Sequence, residues 1–224
     1  MVPDKQPDQT AKKTETPLIP RRTPTQRRSQ ERLARIVRAT GELCGERGVD
    51  GVTMDAIAER AGTSIGSLYQ FFPNRDALLQ MLAERNVADL NKLLDARDAP
   101  EMAALPLAEL VDAMIAPFVS FHEAHPGYFE VLFAPPGSTA LRAIRGRLRA
   151  HLRRRVERLF RLRAPHLSAV KRRRLALTAV ESGRALMQYI EHNVSPNERP
   201  AYRAELRSML VAYLEPWIGD AEEG

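Results

Sequence analysis

The sequence predicts an all-α fold divided into a small N-terminal domain and a larger C-terminal domain. Apolar residues recur every three or four positions through most of the chain, which is the spacing that gathers them on one face of a helix. Clusters of β-branched residues bounded by turn residues, which would indicate strands, are missing from the sequence. At 224 residues the chain exceeds a single small motif and can bury a sizeable core, so we expect two helical domains.

Residues 1–27 predict a disordered basic arm. The segment combines five prolines with many polar residues, so it offers too little apolar surface to offset the entropy lost on ordering. Through position 28 the chain holds seven basic and three acidic residues. An arm of this charge either follows DNA phosphates or enters a minor groove, or it stays a solvated tail with diffuse attraction to polyanions. The sequence leaves both interpretations open.

The first helix is predicted over residues 29–47, with Gly48 at its end. Its inward face carries four apolar side chains and a cysteine: Leu33, Ile36, Val37, Leu43 and Cys44. Cys44 is the only cysteine, so no internal disulfide can form, and we interpret it as a core residue. Because no apolar stretch resembles a signal peptide or a membrane span, we expect a cytoplasmic protein that associates with the nucleoid and has no membrane partner.

The segment TMDAIAERAGTSIGSLYQFFPNRD, which begins at Thr53, predicts two short helices joined by a glycine turn. Thr53 and Ser64 are placed to cap them, because a side-chain oxygen just before a helix satisfies its first free N–H groups. Gly62 lies between the helices and tolerates the left-handed conformation that ends many helices. The second helix would turn Leu68 and Phe72 inward. Its opposite face would present side chains suited to a DNA groove: Ile65, Gly66, Ser67, Tyr69 and Gln70.

The stretch AERAGTSIGSLYQFFPNRDALL resembles the N-terminal domain of TetR-family transcriptional regulators. The resemblance begins near Gln30 and ends near Glu84. It rests on an Ala-Gly turn, a capping serine, a Leu-Tyr pair, a phenylalanine and a basic residue that opens the next helix. Thr63 stands where an aliphatic residue is usual, and Phe71 where Tyr or His is often found; neither change affects the predicted fold.

The resemblance implies a helix-turn-helix DNA-binding domain at residues 28–74, a ligand-binding and dimerisation domain at residues 75–219, and a tail at residues 220–224. It further implies a homodimeric repressor that reads a palindromic, double-stranded operator and is released by a small-molecule effector. We expect the effector, whose identity the sequence does not reveal, to enter a cavity among the helices of residues 100–190. Binding there would shift the fourth helix and change the separation of the two recognition helices.

Residue chemistry and the resemblance together predict the DNA contacts. Gln70 offers an amide to an adenine edge or to a phosphate, and Ile65 and Gly66 can approach a thymine methyl group. Four residues match family positions that anchor the DNA backbone: Thr53, Ser67, Tyr69 and Arg75. Ser64 completes the set as the cap of the recognition helix.

The same segment also satisfies the G-x-S-x-G pattern of a hydrolase, over residues 62–66. That motif needs a buried strand immediately before the serine. The preceding MDAIAERA instead has helical spacing and three charged residues, so we expect no catalytic site. No glycine-rich nucleotide-binding motif occurs, and His122 and His125 lack the spacing of a zinc motif, so we expect neither cofactor nor metal.

Helical periodicity continues through the rest of the chain. Helices are predicted at residues 74–96, 105–124, 128–133, 141–163, 168–192 and 200–217. Prolines 106 and 117 leave the second of these open as one helix or a kinked pair. At about 1.5 Å per residue, the first would be roughly 33 Å long and would link the N-terminal head to the C-terminal domain.

Residues 114–133 predict the effector pocket. Aromatic residues are 6% of the chain, yet they are concentrated here beside a methionine and a histidine. The predicted lining is Met114, Phe118, Phe121, His122, Tyr128, Phe129 and Phe133. Aromatic and methionine side chains suit an apolar ligand of variable shape. The alternative, that they fill the core beneath Pro135 and Pro136, remains equally open.

The last two predicted helices form the expected dimer interface. One carries small residues along a face and the other carries bulky ones, and the resemblance implies that they pair with their symmetry mates. The predicted contacts are Ala176, Ala179, Gly183, Leu186, Leu210, Tyr213 and Trp217. An intramolecular core made from the same residues is the alternative.

Charge favours a polyanionic partner, since the formal net charge is +6. Fourteen basic residues and one acid lie between Arg142 and Arg174. We interpret this run as a solvated helix face whose long stems cover apolar surface; an anion-binding surface is the alternative. The rival to a sequence-reading regulator is an architectural protein that binds DNA without sequence preference.

Overall fold

The computed structural model describes residues 27–97, 99–133 and 138–220. Within these ranges the chain forms ten helices and no strand, which confirms the all-α prediction. The helices, in chain order, are α1 Arg27–Arg47, α2 Met54–Arg60, α3 Ile65–Phe71, α4 Arg75–Asp95, α5 Ala99–Ala103, α6 Leu107–Ala124, α7 Tyr128–Phe133, α8 Thr139–Arg163, α9 Ala169–Asn193 and α10 Arg199–Ile218. The predicted arm at residues 1–27 lies outside the described residues, apart from the backbone of residue 27.

The N-terminal head consists of α1, α2 and α3 around one apolar core. Ile36, Leu43 and Cys44 of α1 are buried against it, as the helical spacing predicts. Burial raises the pKa of the Cys44 thiol to about 12, so the group is uncharged and unreactive. Helix α1 ends at Gly48, whose φ of 69° requires the left-handed region that glycine adopts readily.

Helix α4 connects the head to the rest of the molecule. Its N-cap, Asn74, accepts a hydrogen bond of 2.9 Å from the Ala77 backbone N–H. Its buried face includes Leu78, Leu82 and Leu90, and it packs against α1 in the head and against α6, α7 and α8 beyond it. The helix starts beside α3 and ends among the C-terminal helices. A tilt of α4 therefore changes the orientation of the head relative to the C-terminal helices.

The C-terminal helices form one layered bundle in which α8 packs on α9, α9 on α10 and α10 on α6. Helix α6 is continuous through Pro117, so residues 107–124 are one helix rather than a pair. The short helix α5, which the sequence does not predict, packs against α8. None of the helices in the described ranges is long and apolar enough to cross a membrane.

Arg163, at the end of α8, connects the end of α5 with the end of α10. Its guanidinium donates to the Ile218 carbonyl at 2.6 Å and to the Ala103 carbonyl at 3.0 Å, and it pairs with Asp220. Asp220, which the sequence places in the C-terminal tail, also accepts from the Leu107 backbone N–H at 3.1 Å. Part of the arginine-rich run therefore stabilises the fold.

Helix α1 crosses the turn before α7 at very short range. Gly127, at that turn, has a φ of 77°, and a Cβ added to it would lie 2.3 Å from the Gly41 carbonyl oxygen. A Cβ added to Gly41 would lie 2.8 Å from the Pro126 carbonyl oxygen. Only glycine fits at these two positions, and the head thus touches the C-terminal domain at α7 as well as through α4.

Candidate DNA-binding surface and effector cavity

The turn between α2 and α3 follows the predicted capping pattern. Thr53 Oγ1 accepts from the Ala56 N–H at 3.2 Å, and Ser64 Oγ accepts from the Ser67 N–H at 3.2 Å. Gly62 has a φ of 62°, but a Cβ there would meet nothing within 4 Å. Its role is therefore the left-handed turn, as predicted, and not a close approach of the two helices.

Helix α3 turns one face to the core and the other to solvent. Leu68 and the C-cap residue Phe72 are fully buried. On the opposite side Tyr69 is 45% exposed and Ile65 is 37% exposed, an unusual position for two large apolar side chains. Gln70 is exposed beside them, and the space above Gly66 is open. This face of α3 thus combines apolar groups with one amide, and the open space at Gly66 allows another molecule to approach the helix closely.

Two arginines flank this face, and each also makes a contact within the protein. Arg75, predicted to anchor the DNA backbone, donates to the Val49 and Val52 carbonyls at 3.4 Å each and so also holds the loop before α2. Arg32 on α1, which the sequence reasoning missed, donates to Ser67 Oγ at 3.0 Å and is exposed. The helical spacing of α1 predicts an outward Arg32, but only the fold brings it to α3.

An ion pair fixes α2 against α1. Arg60 donates to both carboxylate oxygens of Glu46, at 2.7 and 2.8 Å, and its guanidinium lies 3.7 Å from Glu42. The hydrogen bond from Arg60 lowers the pKa of Glu46. The two groups are solvent-accessible, so the pair sets an orientation more than it adds stability.

An apolar cavity of about 110 Å³ lies in the middle of the C-terminal bundle. Helices α4 to α10 all contribute to its wall, chiefly through apolar residues such as Leu94, Met102, Met114, Phe118, Phe129, Phe133, Val156, Gly183 and Leu210. Arg97, Arg155 and Arg184 add charge at the wall. The predicted pocket residues Met114, Phe118, Tyr128, Phe129 and Phe133 therefore meet around one space.

Phe121 and His122, also predicted for the pocket, lie elsewhere. Phe121 is buried and stacks on His125 at 3.8 Å between ring centroids. His122 Nε2 lies 3.2 Å from Glu191, whose carboxylate is bound by Arg199 at 2.9 Å and by Arg203 at 2.5 Å. Periodicity predicts that these residues lie on α6 but does not predict which neighbour each side chain meets.

Burial lowers the pKa of His122, and the nearby Arg199 and Arg203 act in the same direction. The carboxylates of Glu191 and Glu130 oppose this shift. The buried Glu191 is held by the two arginines, so its charge is compensated without a proton on the imidazole. We therefore describe His122 as neutral near pH 7.

The predicted dimer residues divide between interior and surface. Ala176, Ala179 and Leu210 are buried within the protomer, and a Cβ added to Gly183 would lie 3.9 Å from Leu210 Cδ1. Leu186 and Tyr213 are half-buried, and Trp217 is exposed under the ammonium of Lys171, which lies 3.0 Å from the ring centroid. The small-residue face of α9 thus packs against α10 of the same chain.

The arginine-rich run is mostly a solvated face. Its apolar stripe is buried as predicted, with Leu141, Leu148 and Val156 among its members. Arg155 pairs with Asp95 at 3.3 Å. Within the described residues, no group of three or more His, Cys, Asp or Glu side chains is placed to hold a metal ion.

Two family models match the chain over the regions just described. Residues 36–82, which contain α2 and α3, match the model "Bacterial regulatory proteins, tetR family". Residues 106–214, which contribute most of the cavity wall, match "Tetracyclin repressor-like, C-terminal domain".

Curated relatives are similar over part of their length. The HTH-type transcriptional repressor KstR of Rhodococcus jostii is 34% identical over 88 residues, which is 38% of this chain and 42% of the relative. The nucleoid occlusion factor SlmA of Haemophilus ducreyi is 27% identical over 116 residues, which is 52% of this chain and 55% of the relative. The chain thus spans about half of the length of these relatives.

A solved structure extends the similarity to the whole fold. A TetR-family transcriptional regulator from Streptomyces coelicolor superposes with a TM-score of 0.57 at 26% identity, covering 83% of this chain and 99% of that one. The recognition-helix geometry, the two matched models and this superposition agree. The chain belongs to the TetR family of DNA-binding transcriptional regulators.

Proposed function

We propose that this protein is a homodimeric repressor that binds a palindromic operator and is released when a small molecule enters the apolar cavity. The observation that carries the proposal is the position of α4. Leu94, near the end of α4, lines the cavity, while Arg75, its first residue, holds the loop before α2. One rigid helix thus joins the cavity wall to the DNA-binding head.

The length of α4 makes this connection effective. Its 21 residues span about 32 Å at roughly 1.5 Å per residue. A ligand that widens the cavity at Leu94 would tilt the helix and displace α3, and a dimer would then no longer fit two successive major grooves. The ligand needs only a higher affinity for the tilted state, and a coupling of about 1 to 3 kcal/mol changes operator affinity by several-fold to about a hundredfold.

The dimer surface that we propose is the outer face of α9 and α10. Large apolar side chains are exposed there: Val170, Leu177, Tyr189, Tyr202, Met209 and Trp217. Such a concentration of apolar surface is typical of a protein interface. Tyr213 lies on the same face as Met209 and Trp217, one turn from each. Of the residues predicted from sequence, Tyr213 and Trp217 are therefore placed to touch a partner directly, and Ala176, Ala179 and Leu210 would support the interface from inside.

An architectural protein that binds DNA without sequence preference is the second candidate. The likeness to a nucleoid occlusion factor and the formal charge of +6 favour it. In that case the exposed Gln70 would read no base, and the phosphate contacts would supply the affinity.

Competition binding separates the two candidates. DNA flanking the protein's own gene is footprinted, and the protected fragment is titrated in the presence of bulk genomic DNA at fixed salt. A regulator should prefer the protected site over bulk DNA by about 10³-fold or more. Equal affinity for both, with the same salt dependence, would instead establish the architectural function.

A further inference from the structure

A basic cleft of about 260 Å³ lies beside the apolar cavity. Its wall contains four arginines, Arg142, Arg145 and Arg149 from α8 and Arg184 from α9. The remaining wall is formed by Leu132, Phe133 and Leu148. Among the described residues that line it there is no carboxylate, so positive charge dominates the space.

The arginines of this cleft differ in the contacts that they make. Arg184 pairs with Glu181 at 3.1 Å, and Arg145 donates to the Val131 carbonyl at 2.8 Å. Arg149 is exposed, and in the described part of the chain it has no salt bridge. Burial and the neighbouring Arg149 cation lower the pKa of Arg145. An anion in the cleft would give Arg149 a charged partner.

The basic cleft and the apolar cavity are neighbours that share two lining residues. Phe133 and Arg184 line both spaces. The Arg184 guanidinium carbon lies 5.6 Å from the centroid of the Phe133 ring, so a cation and an aromatic ring lie together at the boundary between the two spaces. A ligand that passes this point has an apolar end on one side and a charged end on the other.

We propose that the effector is an amphipathic anion, with an apolar body in the cavity and a phosphate or carboxylate headgroup in the arginine cleft. Planar guanidinium groups bind both headgroups through paired N–H donors. This inference rests on the proposed function only in calling the ligand an effector. The binding site itself follows from the apolar cavity and the basic cleft. It also gives the arginine-rich part of α8 a role that a purely solvated face would not have.

Calorimetry on the full chain without DNA tests the ligand class. The test compounds share a ten-carbon chain and differ in headgroup: decyl phosphate, decanoate, decanol and decyltrimethylammonium, each kept below its micelle concentration. Inorganic phosphate is the fifth. Decyl phosphate or decanoate should bind at least about tenfold more tightly than decanol, because charge-assisted hydrogen bonds are added to the same apolar contact. The comparison of these two anions identifies the headgroup.

Three outcomes would overturn the proposal: equal binding of decanol, preference for the ammonium compound, or inorganic phosphate binding as tightly as decyl phosphate. The first two would show that the arginines do not select the headgroup. The third would show that the apolar cavity does not take the ligand body.

Matched arginine variants locate the headgroup. Arg149→Gln should weaken binding of the preferred anion about tenfold and leave decanol unchanged. Arg147→Gln, an exposed residue on α8 outside the cleft, should have no effect. Equal losses in the two variants would mean that the charge of the helix, and not the cleft, attracts the anion.

A second readout separates this inference from the proposed function. The preferred anion is added to the complex with the footprinted DNA. If it binds the protein selectively but does not release DNA, the proposal that this ligand relieves repression is wrong, whereas the binding site is supported. If DNA is released by decanol as well as by the anions, the inducible function stands and the headgroup assignment is wrong.

Discussion

At the scale of single residues, the DNA-binding surface contains groups that can be changed without disturbing the core. Gln70 and Tyr69 point to solvent from a helix whose other face, at Leu68 and Phe72, is fully buried. Arg32 lies next to this helix and is also exposed. Substitutions at Gln70 and Arg32 therefore report on contacts with DNA, whereas Arg75 also supports the loop before α2.

Gln70→Ala and Arg32→Gln should affect DNA binding differently. We propose that the Gln70 amide reads a base edge, so Gln70→Ala should alter the preferred sequence while the dependence on salt stays the same. We propose that Arg32 lies near a DNA phosphate, so Arg32→Gln should weaken binding to all sequences and reduce the slope of log affinity against log salt by about one per contact. Fluorescence anisotropy against the operator and its point variants measures both effects.

Arg154→Gln provides the control for these two variants. Arg154 is an exposed arginine on α8, outside the DNA-binding head. Its removal changes the net charge as Arg32→Gln does, and the salt slope should stay at the wild-type value. If Arg32→Gln and Arg154→Gln behave alike, the assignment of Arg32 to the DNA-binding surface is wrong.

Burial of His122 makes the stability of the protein depend on pH. The pKa of His122 is lowered in the folded chain, so the unfolded state takes up this proton more readily. Its contribution to stability is therefore complete above about pH 6.5, the ordinary value for histidine, and is lost as the pH falls below it. Urea unfolding between pH 8 and pH 5 should show this decline, and His122→Gln should make it shallower.

His166→Gln is the matched control for that pH series. His166 is exposed between α8 and α9 and lies outside the Glu191 cluster. The decline in the free energy of unfolding should be unchanged in this variant. An equal decline in wild type and His122→Gln would show that another group carries the pH dependence.

The limits of sequence reasoning are clear at this scale. Thr53 and Ser64 were predictable as caps, because a cap acts on N–H groups two or three residues away. Arg32 beside Ser67, and His122 beside Glu191, join residues that lie 35 and 69 positions apart. Such pairs depend on how the helices cross, which periodicity along one helix does not determine.

At the scale of elements, the turn before α7 is a close contact between the head and the C-terminal bundle. Gly127→Ala should destabilise the protein, because the backbone there has a φ of 77° and the new Cβ would lie 2.3 Å from the Gly41 carbonyl oxygen. The unfavourable backbone conformation alone costs about 1 to 3 kcal/mol. Chemical denaturation should show a lower free energy of unfolding.

Gly146→Ala should act in the opposite direction. Gly146 lies inside α8, where a Cβ would meet nothing within 4 Å. Replacing a glycine by alanine inside a helix stabilises it by about 1 kcal/mol. If both substitutions change stability by the same amount and sign, the close crossing at Gly127 does not matter for the fold.

Helix α5 and part of the cavity wall were not predicted from the sequence, and the physical reason is the same for both. The five-residue helix α5 is too short to show a periodic pattern, and its stability comes from packing against α8. The cavity is likewise formed by many helices, so the sequence pattern indicated its residues on α6 and α7 but not those on α8 to α10. Long amphipathic helices were predictable to within a few residues, because each repeats its pattern several times.

At the scale of the whole molecule, the function that we propose depends on association of two chains. Met209 is 40% exposed on α10 and lies between Tyr202 and Trp217 on the proposed dimer face. Met209→Glu should place a charge in this apolar surface and shift the protein towards monomers, since an unpaired buried charge is costly. Sedimentation velocity at several concentrations measures the shift, and operator affinity should fall with it because one half-site alone gives fewer contacts.

Ala143→Glu tests whether any new charge has this effect. Ala143 is exposed on α8, away from the proposed dimer face. The variant should sediment as the wild type does. Dimers of unchanged stability in Met209→Glu would place the interface on another surface.

The close contact at Gly127 has a consequence for how the head turns. A body attached through one flexible point can rotate in any direction, whereas a body held at two separate points turns about the line that joins them. The head is held by α4 and, at Gly41, by the start of α7. Helix α7 also supplies Phe129 and Phe133 to the cavity wall. We therefore expect different effectors to move the recognition helix along the same path and to differ only in how far it travels.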